Sequence, residues 1–254
     1  MEVLIMTRLA LTRVTHSCHL LELGGLTILT DPWFSTREDY FPGERLAFTV
    51  DELPDLDAVV ITHTHYDHCD FDAFQTYRDH AVPVVGPPSV GAVARDHGFT
   101  DVRELQPWQS TAVGDVTITA VPAAHGVEEI TYVIGSPDIR LYFGGDTLLI
   151  PAITDLTEKV GPVEVALLPI NGLKIRPMHE LQVVMDAEDA ARLAAILAPK
   201  LAIPHHYRFT SGEEGDRTIT KSDRDPQLFV DAARRLAPDV EVRVTVPGER
   251  VEVP

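Results

Sequence analysis

The chain has 254 residues, of which 21 are basic and 39 acidic, giving a formal net charge of −18, with 44% hydrophobic and 24% charged residues. That acidic excess repels phosphate backbones and argues against a nucleic-acid binder, while a small-molecule substrate, even an anionic one, stays compatible if bound cations supply local positive charge. No apolar run reaches the roughly 18 residues needed to cross a bilayer, the first residues show no secretory cleavage signal, and Cys18 and Cys69 are too few for a disulfide framework.

The expectation is therefore a cytoplasmic protein that is not integral to a membrane, folded as one domain over residues 1–254. Residues 9–14, 19–23 and 27–30 are expected as antiparallel strands, with Gly24-Gly25 as the hairpin turn. Residues 32–48 carry Trp33, Phe34, Tyr40, Phe41 and Phe48 among charges, a composition suited to a lid or pocket wall. Helices are expected at 88–97, ending at Gly98; from Asp186 to Pro199, with Ala190, Leu193, Ala194 and Leu197 on one face; and from Asp225-Pro226 to before Pro238. Residues 171–182 and 208–224 read as polar, irregular connections.

Four short apolar runs share one grammar: strand-like residues, then a side chain able to bind metal. DAVVIT (57–62) leads into HTHYDH, VTITAV (116–121) into PAAH, IRLYF (139–143) into GGDT, and LAIP (201–204) into HHY. Runs of this length bounded by Gly and Pro read as buried strands, and polar residues just beyond them gather at one rim of a sheet. In the first, His63, His65, Asp67 and His68 place imidazole and carboxylate donors within six residues, the chemistry that zinc and similar divalent ions select. A lone histidine is more often a surface or core residue; three in this spacing behind a strand point to a metal.

HTHYDH resembles the HxHxDH motif of the metallo-β-lactamase superfamily, and further motifs follow in that family's order. His125 in VPAAH resembles the third histidine, Asp146 in FGGDT the bridging aspartate, and the Pro-x-His-aromatic end selects His206, with His205 as runner-up. The opening VTHSCHLLELGGLTILTDP and the late MDAEDAA are similar to the ascorbate-phosphate lactonase and N-acyl-phosphatidylethanolamine phospholipase D branch, although Thr15 stands where a glycine is usual.

The resemblance implies a four-layer αββα sandwich of two mixed sheets flanked by helices. It implies two divalent ions: one on His63, His65 and His125, one on Asp67, His68 and His206, with Asp146 bridging. Zinc leads, with manganese or iron as alternatives. Two such ions about 3.5–4 Å apart activate a hydroxide against a small ester, lactone or phosphodiester, with Asp67 and Asp146 as catalytic residues.

Asp31, before Pro32, would orient a ligating histidine. His16 would line the site. Tyr66 and Tyr207 would either donate to substrate or simply pack. Arg37, Arg45, Lys174, Arg176 and Arg208 are candidates to hold an anionic group, against the plainer reading of solvated charges. His19 and His179 read as surface histidines, His80 and His97 as exposed, and Cys69 as a small buried side chain rather than a ligand. The competing functions are a mononuclear non-haem iron dioxygenase on the same fold and a non-catalytic metal-binding protein; a homo-oligomer is left open.

Overall fold

In the computed structural model, which describes residues 8–37, 43–221 and 224–254, strand parity decides the layers. One seven-stranded sheet runs in the order Arg250–Val253, Leu9–Thr15, Cys18–Leu23, Leu26–Thr30, Ala58–Val60, Val84–Gly86, Val102–Glu104. The second seven-stranded sheet runs Glu241–Val242, Leu201–His205, Val165–Pro169, Arg140–Phe143, Ile130–Gly135, Val116–Pro122, Ser110–Val113. Alternate residues of each strand point to opposite faces. Leu11, Leu21, Ile28 and Val60 therefore meet Ile118, Tyr132, Leu141, Leu167 and Ile203 between the sheets.

The opposite parities are buried too. Tyr142, Ala166, Leu168 and Ala202 pack under helices Ala187–Leu197 and Gln227–Leu236. Leu20, Leu29, Val59 and Val84 pack under Phe71, Phe74, Val90 and Ala94 of helices Phe71–Phe74 and Pro88–Asp96. With both faces covered, the strands read as nearly continuous Val/Ile/Leu runs. The result is the four-layer αββα arrangement.

The hairpin turns at Gly24 and Gly25, whose φ values of 59° and 78° are what a two-residue turn between twisted strands requires. Helix Pro88–Asp96 ends before Gly98 at φ 85°, and Asp225 Oδ1 accepts from Gln227 N at the start of the last helix. On Ala187–Leu197 the four expected apolar residues are all buried.

Residues 171–182 and 208–224 differ from their polar, irregular expectation. Lys174–Ile175 pairs with Leu181–Gln182 and with Ile219–Thr220 in a three-stranded sheet, and Gly212–Thr218 is helical. Strands of two residues carry no periodicity that a sequence can display.

Two groups of parallel strands set the position of the site. Leu26–Thr30, Ala58–Val60, Val84–Gly86 and Val102–Glu104 run parallel in one sheet; Arg140–Phe143, Val165–Pro169, Leu201–His205 and Glu241–Val242 run parallel in the other. Their carboxyl ends deliver the segments holding Asp31, His63–His68, Asp146 and His206. No helix is long and apolar enough to cross a membrane among the described residues.

Asp186 caps helix Ala187–Leu197, its side chain accepting from Asp189 N at 2.8 Å. Replacing Asp186 by alanine is expected to lower unfolding stability by about 1 kcal/mol. The urea midpoint should fall with an unchanged slope; an unmoved midpoint would show that the cap contributes nothing.

Candidate metal centre

Three histidines of the cluster are oriented from behind. Val183 O, which can only accept, lies 2.9 Å from His125 Nδ1, so that nitrogen carries the proton and Nε2 is left as a bare donor atom. Thr62 Oγ1 donates to Asp31 Oδ2 at 2.8 Å and so accepts from His63 Nδ1 at 2.9 Å, again leaving Nε2 bare. His68 Nδ1 donates to Asp31 Oδ2 at 2.6 Å. Asp31 is thus the carboxylate behind two histidines, directly for His68 and through a hydroxyl for His63.

The inward atoms converge. His65 Nδ1 lies 3.0 Å from His63 Nε2 and 3.2 Å from His125 Nε2. Bare lone pairs that close repel one another unless a cation sits between them, and about 3.3 Å is the edge of a tetrahedron with metal–nitrogen bonds of about 2.0–2.1 Å. On the other side His206 Nε2 comes within 2.9 Å of Asp146 Oδ2 and 3.6 Å of Asp67 Oδ2, and His68 Nε2 within 3.3 Å of Asp146 Oδ1. The buried atoms His68 Nε2, His206 Nε2 and Asp146 Oδ1 have no aligned hydrogen-bond partner among the described residues.

The potential ligand atoms form three groups, each within 4.8 Å: His63, His65 and His125; His16, Asp67, His68 and His206; and His63, His68 and Asp146. This nitrogen and oxygen donor set fits zinc, manganese or iron. Cys69 and Cys18 are buried thiols outside all three groups.

His16 is fully buried, its Nε2 3.2 Å from Asp67 Oδ2 and its ring 4.2 Å from that of His206. Burial and the neighbouring His206 pull its pKa down to about 3, so the neutral ring donates to Asp67. His16, Asp31 and His206 all have positive φ, at 44°, 32° and 58°. Three non-glycine residues in the left-handed region, at about 1–3 kcal/mol each, concentrate backbone strain at this rim.

Burial disfavours charge throughout the cluster: it prevails at His16, His63, His65, Asp31 and Glu129, whereas at four groups the pairings overcome it. The His68 imidazolium is opposed by burial but held well above its ordinary value by Asp146, Asp67 and Asp31. His206 is likewise raised against burial by Asp146 and Asp67. Burial pushes Asp67 and Asp146 up, but His68 and His206 hold both carboxyls well below the usual range.

Glu129 escaped the sequence reading. Its buried carboxylate accepts from Asp146 N at 2.6 Å and lies 3.7 Å from His63 Nδ1. Glu128-Glu129 stands before a plain apolar strand, and nothing local marks either acid. A Cβ on Gly145 would strike Glu129 and Thr62, and Gly145 sits at φ 52°, so the second glycine of FGGDT admits this carboxylate beside Asp146.

Other expectations move. His19 is not at the surface: it is fully buried in Cys18–Leu23, its ring 5.6 Å from that of His205. That strand is covered on both faces, so alternation gives no clue to exposure. His205 points away from the cluster, 5.6 Å from Phe143, while His206 points into it. His80 and His97 are half-buried, stacked on Phe99 and Phe71. The hydroxyl of Tyr207 accepts from the buried Arg13 at 2.9 Å, so this ring is packed behind the site.

A cavity of about 690 Å³ opens above the ligands, with His65, Asp67, His125, Asp146 and His206 at its floor and Tyr66 beside them. Residues 32–48 contribute none of its described lining. Trp33 instead packs edge-on against His16 at 4.9 Å, and Tyr40 and Phe41 lie outside the described residues. The walls come from residues 173–183 and 209–219.

Residues 27–207 match the Beta-lactamase superfamily domain. An uncharacterized protein of Mycobacterium tuberculosis is 30% identical over 97% of this chain and 69% of its own length. A UPF0173 metal-dependent hydrolase of Methanopyrus kandleri is 29% identical over 95% of this chain and 99% of its own. The structure of Igni18, a metallo hydrolase of Ignicoccus hospitalis, superposes with a TM-score of 0.75 at 24% identity, covering 97% and 98% of the two chains. The chain belongs to the metallo-β-lactamase superfamily, and within it to the metal-dependent hydrolases.

Two outcomes follow from the outer partners and the pairings. Asp31→Asn is expected to weaken metal affinity about 10–100-fold, read by competition with a chromophoric chelator; unchanged affinity would remove Asp31 from the site. Because His68 and His206 are raised in the metal-free protein, metal entry must expel protons, and affinity rises with pH through the neutral range. Calorimetry in buffers of different ionisation enthalpy should show proton release, and none at all would contradict protonated His68 and His206 in the metal-free protein.

Proposed function

We propose that the chain hydrolyses a small ester, lactone or phosphodiester at a dinuclear centre, with one divalent ion on His63, His65 and His125, a second on Asp67, His68 and His206, and Asp146 between them. The observation that supports two ions rather than one is that the donors fall into two separate groups, linked by a third containing Asp146. Zinc, or manganese or iron in its place, would supply there a nucleophilic hydroxide at neutral pH and polarisation of the scissile oxygen.

The protein's own part is orientation and proton handling. Asp67 lies at the floor of the cavity with its carboxylate held ionised, and His16 Nε2 fixes the direction of Oδ2. Asp67 is thereby placed to take a proton from the attacking water and return it to the leaving oxygen. Glu129 fixes the backbone of Asp146 through its bond to Asp146 N, and Asp31 and Thr62 fix the rings of His68 and His63.

Asp67→Ala is expected to lower kcat by about a hundredfold or more, the scale of a lost acid–base group, while the far-ultraviolet circular dichroism stays that of the parent. Turnover close to the parent's would end the assignment of Asp67. Elemental analysis of protein purified without chelator should give about two equivalents of metal; one equivalent of iron would favour the oxygenase chemistry instead.

A further inference from the structure

The chemistry of the cavity walls is not dictated by the ligands at its floor. Leu148, Leu173, Ile175 and Phe209 face the cavity directly above the ligands. At its mouth Val127, Met178 and Leu181 stand 39%, 55% and 49% exposed, an unusual grouping of solvent-facing apolar side chains.

No lysine or arginine is among the described lining residues. The five loop cations expected as candidates for an anion are not in that lining: Arg37 stacks 3.6 Å over the cavity residue Tyr66 and pairs with Asp72, Arg176 donates to Thr220, and Arg45, Lys174 and Arg208 do not line the cavity. The expectation of an anionic substrate therefore finds no cation in the walls to serve it.

A phosphorylated or sugar-like molecule would press most of its polar groups against apolar walls, where Gln182, Ser211 and Thr218 are the few hydrogen-bonding side chains among the described lining, and each group left without a partner is penalised. An anionic group set against the walls, away from the ligand cluster, would also lack the charge-assisted bonds that normally hold one. An apolar chain gains instead, about 0.8 kcal/mol for each methylene buried. A volume of 690 Å³ lies within the about 300–1,000 Å³ usual for small-molecule sites and leaves room for more than a reacting carbonyl.

We infer that the substrate is an uncharged carboxylic ester or lactone bearing an apolar chain, with the chain against Leu173, Ile175 and Phe209 and the carbonyl over the ligand cluster. The inference rests on the hydrolase reading above and narrows its three substrate classes. Water adds across the acyl carbon–oxygen bond: its oxygen goes to the acyl carbon and one proton to the departing alcohol oxygen, with no change in oxidation state.

The test uses metal-replete protein in two arms. In the first, the neutral fluorophore N-phenyl-1-naphthylamine is bound and then displaced by γ-dodecalactone or by glucose 6-phosphate. In the second, 4-nitrophenyl acetate, butyrate and octanoate are compared as substrates. Displacement by the lactone alone is expected, with kcat/KM rising about fourfold per added methylene, the equivalent of about 0.8 kcal/mol.

Ile175→Trp, which fills the cavity, should move the preference towards the shorter esters. Leu181→Glu, at the exposed mouth where folding is least at risk, should weaken fluorophore binding. Metal-replete protein that hydrolyses the acetate as well as the octanoate and binds no fluorophore would overturn the apolar substrate and leave the hydrolase reading standing. Fluorophore binding without cleavage of any ester or lactone, with both metals present, would overturn this inference, and the hydrolase reading falls with it only if bis(4-nitrophenyl) phosphate is also left intact.

Discussion

Asp31, Asp67, Glu129 and Asp146 are buried carboxylates, and His16, His63, His68 and His206 are buried imidazoles, all at one rim between two sheets. A charge taken out of water costs several kcal/mol unless it is paired and hydrogen-bonded, so these groups are only tolerable together. Removing any one strands its neighbours. That mutual dependence explains why Asp31 serves Thr62 and His68 at once, and why Asp67 Oδ2 meets His16, His68 and His206. The inward atoms His68 Nε2, His206 Nε2 and Asp146 Oδ1 find no aligned partner among the described residues. A cation satisfies all three, so metal binding and the stability of this rim are one equilibrium rather than two.

The sheets make that convergence possible. Parallel strands place their carboxyl ends on the same edge, and the segment following each strand can contribute a polar side chain without a buried backbone orphan. The antiparallel hairpin contributes as well, through His16 in the turn between Leu9–Thr15 and Cys18–Leu23. This turn is held from outside: buried Arg13 donates to Tyr207, Thr245 O and Glu44, while Glu44 accepts from His16 N. A guanidinium can serve several acceptors from one fixed fork, and a lysine could not reproduce that.

The side chains that converge in the candidate cluster were legible because their information is local. HTHYDH brings four donors within six residues, and each remaining ligand follows a short apolar run that declares a strand. The strands themselves were legible for the same reason, as were the helices that begin with Asp186 or Asp225 and end near Gly98 or Pro199.

Glu129, Arg13 and Glu44 were not legible, because their partners lie far away in sequence: Asp146 is 17 residues from Glu129, and Thr245 is 232 from Arg13. His19 was misplaced at the surface because alternation loses its meaning in a strand covered on both sides. The cavity walls were misread as polar irregular chain because Lys174–Ile175, Leu181–Gln182 and Ile219–Thr220 are too short to show a period.

Floor and wall thus have different origins. The floor is fixed by strand ends that the two sheets cannot shift without losing register. The wall is built from a three-stranded sheet and a short helix outside both large sheets, so its side chains can change without disturbing the ligands. Phe209 is where the two meet. It follows His206 by three residues, touches the rings of His16 and His206 at 5.3 Å, and faces the cavity. Lys221 Nζ lies 4.3 Å from the Phe209 ring and pairs with Asp216, tying the helical wall to the same aromatic. An apolar chain seated on Phe209, as inferred above, would press on the ring that lies against the candidate ligand His206, so that the fit of the chain and the position of His206 would be coupled through one contact.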